Sequence, residues 1–154
     1  MLDHIQNGIA VNLKGRVSIT AGAVAAIALA IAPTAEANWT SSISAASPGF
    51  ESRRWSDELY SQVQFTSCST DPYVTQSTDV QMWRDISLQP DDSYDNKTFT
   101  ACFKNGGTSN GEWTDLGSGM KNVYFKIAKI AGSGSAGPQL SVHTVYVDTT
   151  KADG

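Results

Sequence analysis

The sequence predicts an all-β protein: a small β-sandwich or barrel-like domain with an extended N-terminal arm and one disulfide. Three observations predict it. From residue 61 onward, short runs alternate apolar with polar side chains, the period of a half-buried strand. Stretches rich in Gly, Ser, Asn and Asp separate those runs, as turns do. Two cysteines, Cys68 and Cys102, stand in different runs, an even count that reads as one bridge in an exported chain. No strong helical period and no convincing internal repeat stands outside the N-terminal 37 residues.

Residues 38–58 differ from the rest. Their first half is small, polar and weakly periodic, which suits an arm or linker. Phe50, Trp55, Leu59 and Tyr60 suggest that the following stretch touches something, and the basic pair Arg53 and Arg54 sits within it. The domain itself is expected over 59–154. In 62–68, Val63 and Phe65 alternate with Gln62 and Gln64. In 79–88, Val80, Met82, Ile86 and Leu88 share a face, with Trp83 on the other. Residues 89–96 read as a turn. In 97–104, Phe99, Ala101 and Phe103 lie on one side, and a Gly/Ser/Asn loop follows over 105–111. A short segment, 112–116, pairs locally. In 121–130, Val123, Phe125 and Ile127 point inward and Lys126 outward. After a Gly/Ser loop at 131–138, the run 139–149 is apolar on both faces: Leu140, Val142 and Tyr146 against Val145 and Val147. A strand apolar on both faces is expected in the middle of a sheet. Five or six such strands fit a sandwich or small barrel. By parity, Cys68 aligns with Gln62 and Gln64, and Cys102 with Thr98 and Thr100. Without bulges, both sulfurs would sit opposite the aromatic face and clip two strands together. The bridge closes a loop of about 35 residues, for which chain entropy gives about 3–4 kcal/mol.

Residues 1–37 read as an export leader. Lys14 and Arg16 precede an apolar, Ala-rich run at 17–32, and Ala35-Glu36-Ala37 offers the small residues a signal peptidase accepts. The run is too short and too rich in Ala and Gly for a membrane span. Cleavage before Asn38 removes two basic and two acidic residues from 11 and 15, so the balance stays at −4. With no basic stripe, nucleic acid is not an expected partner. With no further apolar segment, neither is a membrane.

The chemistry-bearing residues are few. His143 is the only histidine past the leader, it lies in an apparent strand, and no GxSxG occurs. A hydrolytic triad therefore lacks its base and its nucleophile elbow, and no enzyme is expected. Asp91, Asp92 and Asp95 crowd one turn, but without the glycine and distal glutamate of a calcium loop. Turn hydrogen bonding explains them, and neither metal nor cofactor is expected. Four tryptophans are many for this length: Trp83 and Trp113 are expected partly in the core. Trp39 and Trp55, in the arm, are candidates for contact with a partner. The arm could enter a partner's cleft in extended form, with Trp39, Ile43, Phe50, Arg53, Arg54 and Trp55 as the contact residues. The Arg53–Arg54 pair would suit an acidic pocket such as that of a trypsin-like domain.

Taken together, the leader ending Ala35-Glu36-Ala37, the arm at 38–58 and a compact β domain carrying Cys68 and Cys102 resemble the small adaptor subunit of the umbrella toxin particles of Streptomyces. The resemblance implies a secreted, non-catalytic protein. In that family the adaptor joins a lectin subunit, which carries a degenerate trypsin-like domain, to the spokes of a large toxin subunit. Its N-terminal segment enters the cleft of the trypsin-like domain. The resemblance covers the layout of residues 38–154 and rests on no motif. Two other expectations stand beside it: a secreted protease inhibitor presenting Arg53 or Arg54, and a carbohydrate-binding module using exposed aromatics.

Overall fold

The computed structural model describes residues 38–150; the expected leader at 1–37 lies outside the described residues. Eight strands form two antiparallel four-stranded sheets. One sheet runs β1 (Trp39–Ala46), β8 (Gln139–Asp148), β3 (Ser61–Asp71), β6 (Thr108–Trp113) across its width. The other runs β2 (Trp55–Asp57), β7 (Lys121–Ile130), β4 (Thr78–Arg84), β5 (Asp92–Phe99). The fold is thus the expected all-β sandwich, with β8 flanked on both sides as its apolar pattern implied.

The inward faces meet in an aromatic layer. Phe65 of β3 stands edge-on to Phe99 of β5 at 5.0 Å and to Phe125 of β7 at 5.5 Å, a favoured ring arrangement across the two sheets. Val63, Val80, Met82, Val123, Ile127 and Val147 fill in around them, all fully buried.

Both strands of the β3–β8 pair change face midway. Ser67 takes a left-handed backbone (φ 56°), and the pairing lapses there between Thr66↔Thr144 and Cys68↔Val142. Before the lapse, Val63 and Phe65 point inward; after it, Cys68 and Thr70 do. On β8, Leu140 and Val142 precede the switch, and Val145 and Val147 follow it, all buried. So the two apolar sets of β8 serve one core, not two faces. The same switch corrects the parity argument for the cysteines. Cys68 turns into the core, and Cys102, in a short 3₁₀ turn at Ala101–Phe103, is buried opposite it. The Cys68–Cys102 disulfide forms, with Cα atoms 5.1 Å apart. It lies inside the core and ties β3 to the crossover from β5 to β6.

Several boundaries differ from the sequence expectation. Strand β4 stops at Arg84, and Ile86 and Leu88 belong to a turn in which Leu88 is fully exposed. Strand β5 occupies Asp92–Phe99, most of which reads as turn; its outward Asp, Asn and Lys side chains suit a solvent-facing edge. Ala101 and Phe103 are in the 3₁₀ turn instead of a strand. Strand β6 takes Thr108–Trp113 from the expected glycine-rich loop. Its Gly111 is needed where the chain passes Phe99: a Cβ there would lie 2.8 Å from the Phe99 ring and 2.9 Å from the Trp113 ring.

Residues 38–58 are extended, as expected, but they do not stand off the domain. β1 pairs with β8 from Trp39↔Val147 onward. A turn at Pro48-Gly49, with Gly49 at φ 92° and Phe50 N–H donating to the Ser47 carbonyl, then carries the chain across to the other sheet. There Gly49 and Ser52 donate to Ile127 and Phe125, and Ile127 donates to Phe50, before β2 pairs with β7. The physical reason is plain: an extended chain carrying Trp39, Ile43 and Trp55 gains by lending its backbone and rings to two open sheet edges.

Candidate functional site

Where β1 leaves one sheet and residues 50–53 join the other, the flank of the sandwich opens into a cleft of about 120 Å³. Trp39, Phe50 and Arg53 form its rim and walls. Ile43, Phe125 and Val145, all buried, form its floor. Trp39 is half-buried, edge-on to Trp55 at 5.5 Å, and the Arg53 guanidinium lies 4.9 Å from its ring centre. A cation over an indole face is attracted by the ring's negative centre. The Trp39 indole N–H is buried with no acceptor. Phe50 keeps 38 % of its surface exposed.

Four of the six residues singled out for partner contact, Trp39, Ile43, Phe50 and Arg53, therefore converge on one cleft. The other two do not join them. Trp55 is 0 % exposed, in the core between Trp39 and Phe125, and its indole N–H reaches the Asp57 carboxylate at 3.4 Å. It cannot meet a partner without unfolding. Arg54 points to the outer face of the β2–β7–β4–β5 sheet. There it donates to Asp85 at 3.0 Å and Glu51 at 3.1 Å, and lies 4.2 Å over the Tyr124 ring.

That outer face is a closed network. Lys126 pairs with Glu51 and covers Trp83, which stacks on Tyr124. The Tyr124 hydroxyl donates to Asp91 at 2.7 Å. Lys126, hydrogen-bonded to Glu51, holds its carboxyl below the usual glutamate range, with Arg54 adding to the effect. The bond from Tyr124 likewise lowers Asp91. Burial, then the bond to Asp91, pushes the Tyr124 phenol well above its ordinary value. The hydrogen bond to Asp85 strengthens the hold of Arg54 on its proton. The network fastens the 51–54 segment to the sheet.

Asp91, Asp92 and Asp95 do not form a cage: Asp91 accepts from Tyr124 and the Ile86 N–H, while Asp95 pairs with Lys97. Among the described residues no group of three or more His, Cys, Asp or Glu is placed to hold a metal ion. His143 is exposed beside the face switch, its Nδ1 against the Thr144 hydroxyl. Also among the described residues, no helix is long and apolar enough to cross a membrane.

The floor residues Phe125 and Val145 were not foreseeable as site residues, since each reads as ordinary core of its strand. The Pro48-Gly49 turn was the available signal. A Pro-Gly pair reverses a chain, and it foretells that residues 50–55 come back onto the domain beside Trp39.

Comparison with protein-family models, with curated proteins and with solved structures finds no match for this chain.

Proposed function

We propose that the protein is an exported, non-catalytic binding protein of adaptor type, which docks a partner protein at the flank formed by Trp39, Phe50 and Arg53. The observation that carries this reading is the cleft: an apolar floor, an aromatic wall and a cation at the rim, on an otherwise well-filled sandwich. Interface anchors are drawn from these residue types. The disulfide belongs to oxidising compartments, which supports the export reading made from residues 1–37. The layout resemblance to the Streptomyces adaptor subunit supports the finer reading, in which the partners are a lectin subunit with a trypsin-like domain and a large toxin subunit. On this reading the contact is made by a folded flank and not by a free arm.

The inhibitor reading has one observation in its favour, the backbone bonds that fix residues 49–52 on β7. Against it, Arg53 lies over Trp39, and Arg54 is held by Glu51 and Asp85. A sugar platform fits less well, because Lys126 covers Trp83 and Tyr124 is buried.

The test is co-purification from culture supernatant with tagged protein, read by mass spectrometry, comparing the native chain with the double variant Phe50→Ala, Arg53→Glu. A stoichiometric secreted protein held by the native chain and lost by the double variant, at unchanged melting temperature, is the expected result. Recovery of the native chain alone overturns the proposal. Tight inhibition of trypsin by the native chain would instead select the inhibitor reading.

A further inference from the structure

The sandwich has four edge strands, and three are guarded. β2 is three residues long, and the strip at 49–52 continues its cover of β7. β5 carries Asp92, Asp95 and Lys97, and β6 carries Glu112. Short length, charge and cover are the usual devices against strand pairing. β1 has none of these: its eight residues, Trp-Thr-Ser-Ser-Ile-Ser-Ala-Ala, include no charge and no proline. Its register with β8 shifts after Ser41 and again after Ile43. The regular part of this open edge is therefore residues 39–41, directly beside the cleft.

We infer that β1 takes up an extended segment of a partner polypeptide as an added strand, with one apolar side chain of that segment seated in the cleft between Trp39 and Phe50. This rests on the reading of that flank as the docking face. The backbone edge specifies the occupant as extended peptide, since unpaired N–H and C=O groups are satisfied in series only by another backbone. The cleft, about 120 Å³, is well below the roughly 300 Å³ at which small-molecule sites begin. It has room for a single aliphatic side chain. Arg53 is the cation among its lining residues, so the residue flanking the anchor is acidic or neutral, not basic. A second copy of this chain does not fit. The inward side chains of its own β1, Trp39 and Ile43, are committed to its own sandwich, and those left over, Thr40, Ser42 and Ser44, are small and polar. The buried indole N–H of Trp39, which has no acceptor, gains one from a peptide carbonyl.

The probe is the capped peptide Ac-Ser-Thr-Val-Thr-Leu-Thr-Glu-NH2, titrated into the ¹⁵N-labelled full-length chain by NMR. Two further forms carry N-methyl groups, one on the three threonines and one on Val, Leu and Glu. Saturable shifts of the Trp39 indole and of the backbone amides of residues 39–43 are expected. One methylated form should bind about tenfold more weakly, through loss of the edge hydrogen bonds, while the other binds as the parent does. Ser41→Leu, an exposed position at the cleft mouth, fills the anchor site and should abolish saturation without loss of fold. Equal binding by both methylated forms overturns the proposal. So do shifts confined to residues outside β1 and the cleft, or no saturation by the parent peptide. The two readings separate cleanly. If the native chain captures no partner but the peptide behaves as stated, the adaptor reading falls and strand addition stands. If partner capture survives Ser41→Leu and both methylated peptides bind alike, strand addition falls alone.

Discussion

At the scale of single residues, Glu51 holds two cations at once, Arg54 and Lys126, and so joins the 51–54 segment to β7 and, through Arg54, to Asp85. Exposed pairs of this type contribute a few tenths to 1 kcal/mol each, so Glu51→Gln should cost about 1 kcal/mol in chemical denaturation. The pH dependence follows from the same contacts. A carboxyl held below its ordinary value of 4.5 gives its full stabilisation above that pH and loses it as the pH falls further. Native protein should therefore weaken in acid more steeply than Glu51→Gln. At the alkaline end the sign reverses. The Tyr124 phenol is pushed up from an ordinary 10.0, so the fold favours its neutral form. That contribution is complete below pH 10 and declines as the pH rises beyond it. Tyr124→Phe should flatten the alkaline decline, as read from melting temperature against pH.

At the scale of elements, the face switch at Ser67 makes a sharp demand on one residue. A β-branched side chain in a left-handed backbone is strained, so Ser67→Val should destabilise by about 1–2 kcal/mol, whereas Ser67→Gly should be neutral or slightly stabilising. Gly111→Ala forces a methyl against the Phe99 and Trp113 rings and should cost about 1–3 kcal/mol by overpacking. Both are read from urea unfolding. These positions also show what the sequence could and could not convey. β3, β7 and β8 were legible because Val63, Phe65, Val123, Phe125 and Ile127 keep strict alternation against polar neighbours. β5 and β6 were not, because an edge strand with charged or glycine positions shares its composition with a turn, and its pairing partner decides its state. The cysteine geometry failed for a related reason: alternation carries no mark of the residue at which it is interrupted. Trp39, Ile43, Phe50 and Arg53 were recognisable as unusual by residue type in a weakly periodic stretch. That they share a cleft while Trp55 is core and Arg54 faces outward is decided by the turn at Pro48-Gly49 and by the register of β2 on β7.

At the scale of the whole molecule, the core is closed by two long-range ties, the Trp55 side chain and the Cys68–Cys102 bridge. Trp55→Ala should cost about 3–5 kcal/mol, and the double variant Cys68→Ala, Cys102→Ala about 2–5 kcal/mol, both measured by equilibrium denaturation. Phe50→Ala, by contrast, should change stability by about 0.5 kcal/mol or less, which leaves it free to report on binding. One more property of the assembled domain comes from how β1 lies on β8. Trp39 sits opposite Val147, and the Asn38 side chain accepts from the Thr149 N–H at 2.7 Å. The first and last described residues thus leave the domain side by side. A load applied between them would act across the β1–β8 ladder and not along it, so its hydrogen bonds would break in succession, like the teeth of a zip. In single-molecule pulling from those two points, β1 should peel away at low force while the remaining seven strands stay folded. The flank that carries the cleft would then be the first region of the domain to yield under tension.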